Sequence, residues 1–251
     1  MRFAALAVFV LLGLALGSRA RTQGQKPGQE PETPTIPGAV FVTQEPHHHL
    51  LYANSDMRVF DVIVPPHQST LLHEHDHDYI FVTFGQSTLT VMRPGMPPAS
   101  LELPSGAVRF SKAVFAHAIT NDGDYPFHNM TIEFLNPVIT GRGCSCNGGP
   151  GDAVCDCPNA PLLPANWSKQ IGRLHLRGIM LAPGATFEDS SQFPTRLLVP
   201  VTPLDVIDTS THSPKHVPLR LPVGRFHWLS PGPHEIQNVS AQALRMVSIS
   251  F

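Results

Sequence analysis

The sequence is short of charge. Lys, Arg, Asp and Glu make up 14% of its 251 residues, and the formal net charge is −2. It has no basic block. Neutralising phosphates takes a cluster of cations, so nucleic acid is not an expected partner. A sustained 3.6-residue apolar period is also missing, which leaves little room for helix. Past the N-terminal stretch no apolar run approaches the roughly 18–20 residues that a membrane span needs. No cysteine follows that stretch, so a lipid-modified terminus is not expected.

What is abundant is turn chemistry. Pro (26) and Gly (19) punctuate a chain that is 42% apolar, enough for a real core divided among many short elements. The N-terminus has the parts of a signal peptide: Arg2, an apolar stretch from Phe3 to Leu16, then Ser18-Arg19-Ala20 with small residues at the −3 and −1 positions. Cleavage after Ala20 implies a secreted or periplasmic protein with no membrane contact once the signal (1–20) is removed. Residues 21–38, polar and rich in Pro and Gly, read as a disordered linker.

From Val40 onward, β-branched and aromatic runs alternate with turns. RVFDVIV (58–64), YIFVTFG (79–85), TLTVMRP (88–94), GAVRFS (106–111) and NMTIEFL (129–135) are each of strand length. The same rhythm resumes in RLHLRGIML (173–181), RLLVPVT (196–202), LDVIDTS (204–210), HVPLRLP (216–222) and ALRMVSISF (243–251). This is the pattern of an antiparallel sandwich or barrel. A shift of 117 residues lays Pro66 on Pro183, His117 on His234, Asn121 on Asn238 and Thr131–Phe134 on Ser248–Phe251. Several matches in one order at one offset indicate two homologous β domains, 39–137 and 169–251.

Between them, residues 138–168 hold all four cysteines, Cys144, Cys146, Cys155 and Cys157. In an exported chain these read as two disulfides. Cys-x-Cys neighbours pair poorly with each other, which leaves 144–157 with 146–155, or 144–155 with 146–157. A zinc site of four thiolates is the rival. Asn129, Asn166 and Asn238 each match the glycosylation pattern, which is read as chance.

The chemistry gathers in His73-Glu74-His75-Asp76-His77-Asp78-Tyr79. Alternate residues of a strand face one side, so His73 and His75 share a face. A third imidazole from a distant strand would complete a metal site, with His117 the natural candidate. His47-His48-His49 reads as a surface run, since three consecutive side chains cannot all enter one pocket. His77 reads as an exposed hairpin residue, His67 as a turn residue, and Glu133 as an exposed strand carboxylate.

These residues resemble the two motifs of the cupin superfamily, G-x5-H-x-H-x3/4-E-x6-G and G-x5-P-x-G-x2-H-x3-N. His73, His75 and Gly85 match the first, and Gly106, His117 and Asn121 the second. Asp78 stands where E-x6-G wants its carboxylate, while Tyr79 takes the acid position counted from His75. His67 replaces the opening Gly, and Lys112 and Val114 replace the second motif's Pro and Gly.

The resemblance implies an all-β protein of two tandem cupin barrels (double-stranded β-helix, or jelly roll) joined by the cysteine-rich loop. It implies a divalent first-row metal (Fe, Mn, Ni, Co, Cu or Zn) on His73, His75 and His117, with Asp78 as acid ligand. Water or Tyr79 could take that fourth place, and Tyr79 could instead donate a proton. A small organic molecule is the expected partner. The family's chemistry spans oxygenases, decarboxylases, isomerases and lyases. A binding protein or a structural barrel stabilised by metal are the other readings, and a homodimer through sheet edges is allowed.

Under the same shift His73, His75, Asp78 and Tyr79 fall on Ser190, Gln192, Thr195 and Arg196, so the second barrel reads as metal-free. Arg196 is expected to point outward.

Overall fold

The computed structural model describes residues 33–138, 166–189, 193–210 and 213–251. The expected signal peptide and all four cysteines lie outside the described residues. So do Ser190 and Gln192.

The described chain is all-β apart from one 3-10 turn at Val42–Gln44. Ten strands form the first barrel: β1 (Val40–Phe41), β2 (His48–Ala53), β3 (Met57–Val64), β4 (His73–His75), β5 (Asp78–Phe84), β6 (Ser87–Met92), β7 (Ala99–Leu103), β8 (Val108–Ser111), β9 (Phe115–Asn121) and β10 (Phe127–Phe134). They make two sheets, ordered β1-β4-β9-β6-β7 and β2-β3-β10-β5-β8. The second barrel has β11 (Trp167–Ile171), β12 (Leu174–Leu181), β13 (Thr186–Asp189), β14 (Arg196–Pro200), β15 (Leu204–Ser210), β16 (Ser213–Leu221), β17 (His227–Leu229), β18 (His234–Asn238) and β19 (Leu244–Ser250). Its sheets are ordered β11-β12-β19-β14-β17 and β13-β18-β15-β16.

The β3-β10-β5 sheet is buried on both faces, and its period of two decides which residue goes where. Met130, Ile132 and Phe134 of β10, with Ile80, Val82 and Phe84 of β5, join Leu174, Leu176, Leu197 and Ile249 in one core shared by the two barrels. Between them in sequence, Phe127, Asn129 and Thr131 of β10 and Tyr79 and Phe81 of β5 line the interior of the first barrel. The second barrel thus covers the outer face of this sheet.

The duplication is visible in detail. Asn121 Nδ2 donates to the carbonyls of Val64 and Tyr125, and its Oδ1 accepts from Gly123 N. Asn238 repeats this with Leu181, Gln242 and Ser240, each displaced by the same 117 residues. His67 N donates to Asn121 O, as Gly184 N does to Asn238 O. Both His67 (φ 57) and Gly184 (φ 74) are left-handed. The motif position filled by His67 therefore keeps the conformation that glycine adopts at no cost. Asn129 and Asn238 are buried, so neither presents its amide to a glycosylating enzyme.

The linker expected over 21–38 does not run free to its end. Thr35 donates through its N–H and hydroxyl, and Ile36 through its N–H, to the Glu74 carboxylate at 2.8–3.1 Å.

Each Asn side chain ties two strand ends that would otherwise leave buried carbonyls unpaired. Asn121→Ala and Asn238→Ala should each cost about 2–4 kcal/mol. Urea denaturation of each variant measures this, and a change below about 0.5 kcal/mol would show that the loops close without them.

Candidate metal centre

Strand β4 is three residues long and wholly buried. His73 and His75 face the barrel interior, while Glu74 turns outward to Thr35 and Ile36. Antiparallel pairing of β4 with β9 sets His73 directly opposite His117. Their ring centroids are 4.5 Å apart, and His117 lies 5.5 Å from His75. The three histidines expected from the motifs are therefore brought together.

A fourth imidazole joins them from the opposite sheet. His48, the first residue of β2, lies 4.7 Å from His73 and 6.0 Å from His75 between ring centroids. One ring nitrogen from each of His48, His73 and His75 lies within 4.8 Å of the others. The surface reading of the His47–His49 run is thus corrected for its middle member: His49 is exposed, but the pleat turns His48 inward.

The rings are held from behind. His73 Nδ1 lies 2.9 Å from Leu71 O, His75 Nδ1 3.0 Å from Glu133 Oε1, and His48 Nδ1 2.6 Å from Glu45 Oε2. Bonds of this kind fix the tautomer and leave Nε2 free to face forward. Glu133 is fully buried, not exposed as expected, because it lies on the same face of β10 as Asn129 and Thr131, the face turned to the barrel interior, while Ile132 and Phe134 pack against the second barrel. It also accepts from Arg58 at 3.2 Å.

Asp78 is not part of the cluster. Its two carboxylate oxygens each accept a backbone N–H at 3.0 Å, from Ala113 and Val138, so the carboxylate ties the end of β10 to the loop before β9. Tyr79 lies flat on His75, with centroids 3.9 Å apart at 20°. His77 is partly exposed, its Nδ1 3.0 Å from Asp76 Oδ1, and His67 lies 3.3 Å from Asp124.

Burial keeps the rings neutral. It lowers His73 from its ordinary 6.5 to about 4, helped by the charge of His48. It holds His75 and His117 well below 6.5, and His48 below 6.5 despite Glu45. For Glu45, burial alone would raise the carboxyl, but hydrogen bonds from His48 and His47 overcome it and hold it at about 2. Burial raises Glu133 to about 8 against the pull of Arg58. Burial also raises the Tyr79 phenol, which stays protonated.

The donor set suits a divalent first-row ion, which needs deprotonated imidazole nitrogens. His73 Nε2 and His117 Nδ1 are buried with no hydrogen-bond partner among the described residues. Such an orphaned atom costs about 1–3 kcal/mol, which a bound ion would offset.

These rings open on a cavity of about 190 Å3. Phe81, Leu89, Phe115, Ile119 and Phe127 supply apolar walls, Arg93 and Arg109 also line it, and among the described residues no Asp or Glu does so.

The second barrel fills the equivalent place with its own ion pairs. Arg196, at the position of Tyr79, is fully buried and donates to Asp189 at 3.0 Å and to the carbonyls of Ser230 and Gly232. It points inward, contrary to expectation, because Asp189 on β13 supplies the countercharge. His234 is engaged at both nitrogens, by Asp208 at 2.7 Å and Ser230.

No family model matches the sequence, and no curated protein matches it. Solved structures do. AerE from Microcystis aeruginosa superposes with a TM-score of 0.55 at 11% identity, over 82% of this chain and 97% of that one. Salicylate 1,2-dioxygenase from Pseudoaminobacter salicylatoxidans gives 0.51 at 12%, over 80% and 70%. A Bacillus subtilis oxalate decarboxylase variant gives 0.51 at 10%, over 78% and 68%. These likenesses show the fold, two tandem β barrels as in those structures.

An unfolded chain protonates its histidines near 6.5, while the buried rings resist. Stability of the metal-free protein is therefore full above about 6.5 and falls with falling pH, the His73 share of the loss continuing down to about 4. Glu45 adds to this loss below about 4.5. Glu133 opposes it: its raised pKa favours the folded state below about 4.5, a contribution lost as pH rises through about 8. Four imidazoles outweigh one carboxyl between these limits. Denaturation of chelator-treated protein should show stability rising from pH 5 to 6 by more than about 1.4 kcal/mol, the value for one proton. A flat profile would mean the rings are not buried neutral.

Proposed function

We propose that the first barrel is a metal-dependent enzyme site acting on a small carboxylate-bearing molecule with an apolar body. The observation that carries this is the cavity lining, which among the described residues joins imidazoles kept neutral and two arginines to apolar walls, with no acidic side chain. His73, His75 and His117 would hold the ion. When bound, it supplies Lewis-acid polarisation of a substrate oxygen. Arg93 and Arg109 then attract and orient a carboxylate, and the phenyl and aliphatic walls exclude water. Tyr79, protonated and facing the cavity, is the proton donor.

The reaction belongs to the oxygenase, decarboxylase, isomerase or lyase type. Two structures with this fold bear the names of enzymes of carboxylic acids, salicylate and oxalate, in line with this substrate class. With the leader expected over 1–20, the enzyme works in the periplasm or outside the cell.

Elemental analysis of the purified protein should find about one equivalent of a transition metal. His73→Ala/His75→Ala should lose it and Asp78→Asn should keep it. Metal absent from folded, reconstituted protein would sink the metalloenzyme reading. By calorimetry, salicylate should bind at least tenfold more tightly than salicylamide, and Arg109→Gln should erase most of that difference. Equal affinity for acid and amide would remove the substrate class.

A further inference from the structure

We propose that His48 is the fourth metal ligand, taking the place that the resemblance gives to a carboxylate, and that Glu45 is its positioning residue. This rests on the metal reading above and concerns only which side chains complete the site.

The carboxylate at the motif position and those behind the rings are committed elsewhere. The acid position counted from His75 holds Tyr79, whose ring lies flat on His75. Asp78 spends both oxygens on backbone N–H groups. Glu133 and Glu45 stand behind imidazoles at their Nδ1 atoms. His48, by contrast, has its ring buried, with a side chain 5% exposed. Its nitrogen falls within 4.8 Å of those of His73 and His75. Two nitrogens each about 2.1 Å from one ion sit about 3–4 Å apart, so a small contraction closes these three; His117 lies outside that group, its ring centroid 4.5 Å from that of His73. Nothing in a surface run requires a ring to be buried against two other imidazoles.

Glu45 links two of the ligands. Its Oε2 takes His48 Nδ1, and its Oε1 accepts the N–H of Leu71 at 3.2 Å. The carbonyl of that same Leu71 accepts from His73 Nδ1. One buried carboxylate therefore sets the aim of His48 directly and of His73 through one residue.

The chemical consequence is a ligand set of neutral imidazoles only. Imidazole suits Cu, Ni, Zn and Fe, whereas Mn and Mg favour oxygen donors. The site should therefore prefer the former group, and a bound divalent ion keeps its whole charge for an anionic substrate.

The test uses the full chain loaded with one equivalent of Cu(II), read by electron spin echo envelope modulation and by competition for affinity. His48→Ala should lower the number of coordinated imidazoles by one and weaken affinity at least tenfold. His48→Gln, which keeps a polar group on Glu45, guards against loss of fold and should give the same count. Glu45→Gln should keep the imidazole count but weaken affinity about tenfold or more. His49→Ala, at the exposed neighbour, should change neither. An unchanged imidazole count and affinity in a folded His48 variant overturns the assignment while leaving the metal reading intact. Failure of the wild-type protein to bind copper at His73 and His75 overturns both.

Discussion

Glu45 sits beneath two strands at once. It is the end of a tight turn between β1 and β2, buried, and among the described residues only histidines pair with its charge. Such a carboxylate is costly to bury unless each lone pair finds a donor. Here the donors are His47, His48 and the peptide of Leu71. Leu71 lies just before β4, so satisfying Glu45 docks the β1–β2 segment, from one edge of the barrel, against the strand that carries His73 and His75. The position of His48 relative to the motif histidines is thus a by-product of solving one buried-charge problem. Glu133 and Arg58 solve the same problem behind His75.

The second barrel preserves the frame and fills its interior differently. Its asparagine ties, left-handed turn and strand order repeat those of the first barrel, because these close the fold. The interior is different. A buried Arg196 ion-paired to Asp189 occupies the place of Tyr79, and a pair of this kind tolerates loss of a partner poorly. What the second barrel gives instead is its outer sheet. Leu174, Leu176, Leu197 and Ile249 cover the outer face of β5 and β10, so the apolar residues of β10 face the second barrel and Glu133 is left to the interior of the first, against His75.

That cover also explains what the sequence could and could not disclose. Strand positions were readable from β-branched runs and turn residues, and the 117-residue echo revealed two barrels. His73, His75, His117 and Asn121 were readable because motif spacing fixes them on paired strands. His48 was not, because no periodicity tells which member of a histidine triplet turns inward, and its partner Glu45 lies in an irregular turn. Glu133 looked like a solvent-facing residue in an alternating strand, a rule that holds only when one face is wet. Arg196 was misjudged for the same reason, since its countercharge lies on another strand. Asp78 matched a motif letter, yet its two oxygens serve backbone groups brought near only by folding.

Placing carboxylates behind imidazoles rather than beside them has an electrostatic result. A carboxylate that ligates an ion directly cancels one of its charges where substrate binds. A carboxylate one imidazole further back polarises the ring and fixes its tautomer, while its charge sits farther away and is partly offset by Arg58 or the other histidines. Coulomb energy falls with distance, so the front of the site stays more positive than the back. Arg93 and Arg109 line the same cavity, and Arg93 already lowers the pKa of His117 through its charge. Under the function proposed above, an anion entering between the apolar walls meets the ion and the two arginines together. Neutral analogues of the same shape meet the walls alone, so on that proposal charge, more than fit, is the basis of ligand choice.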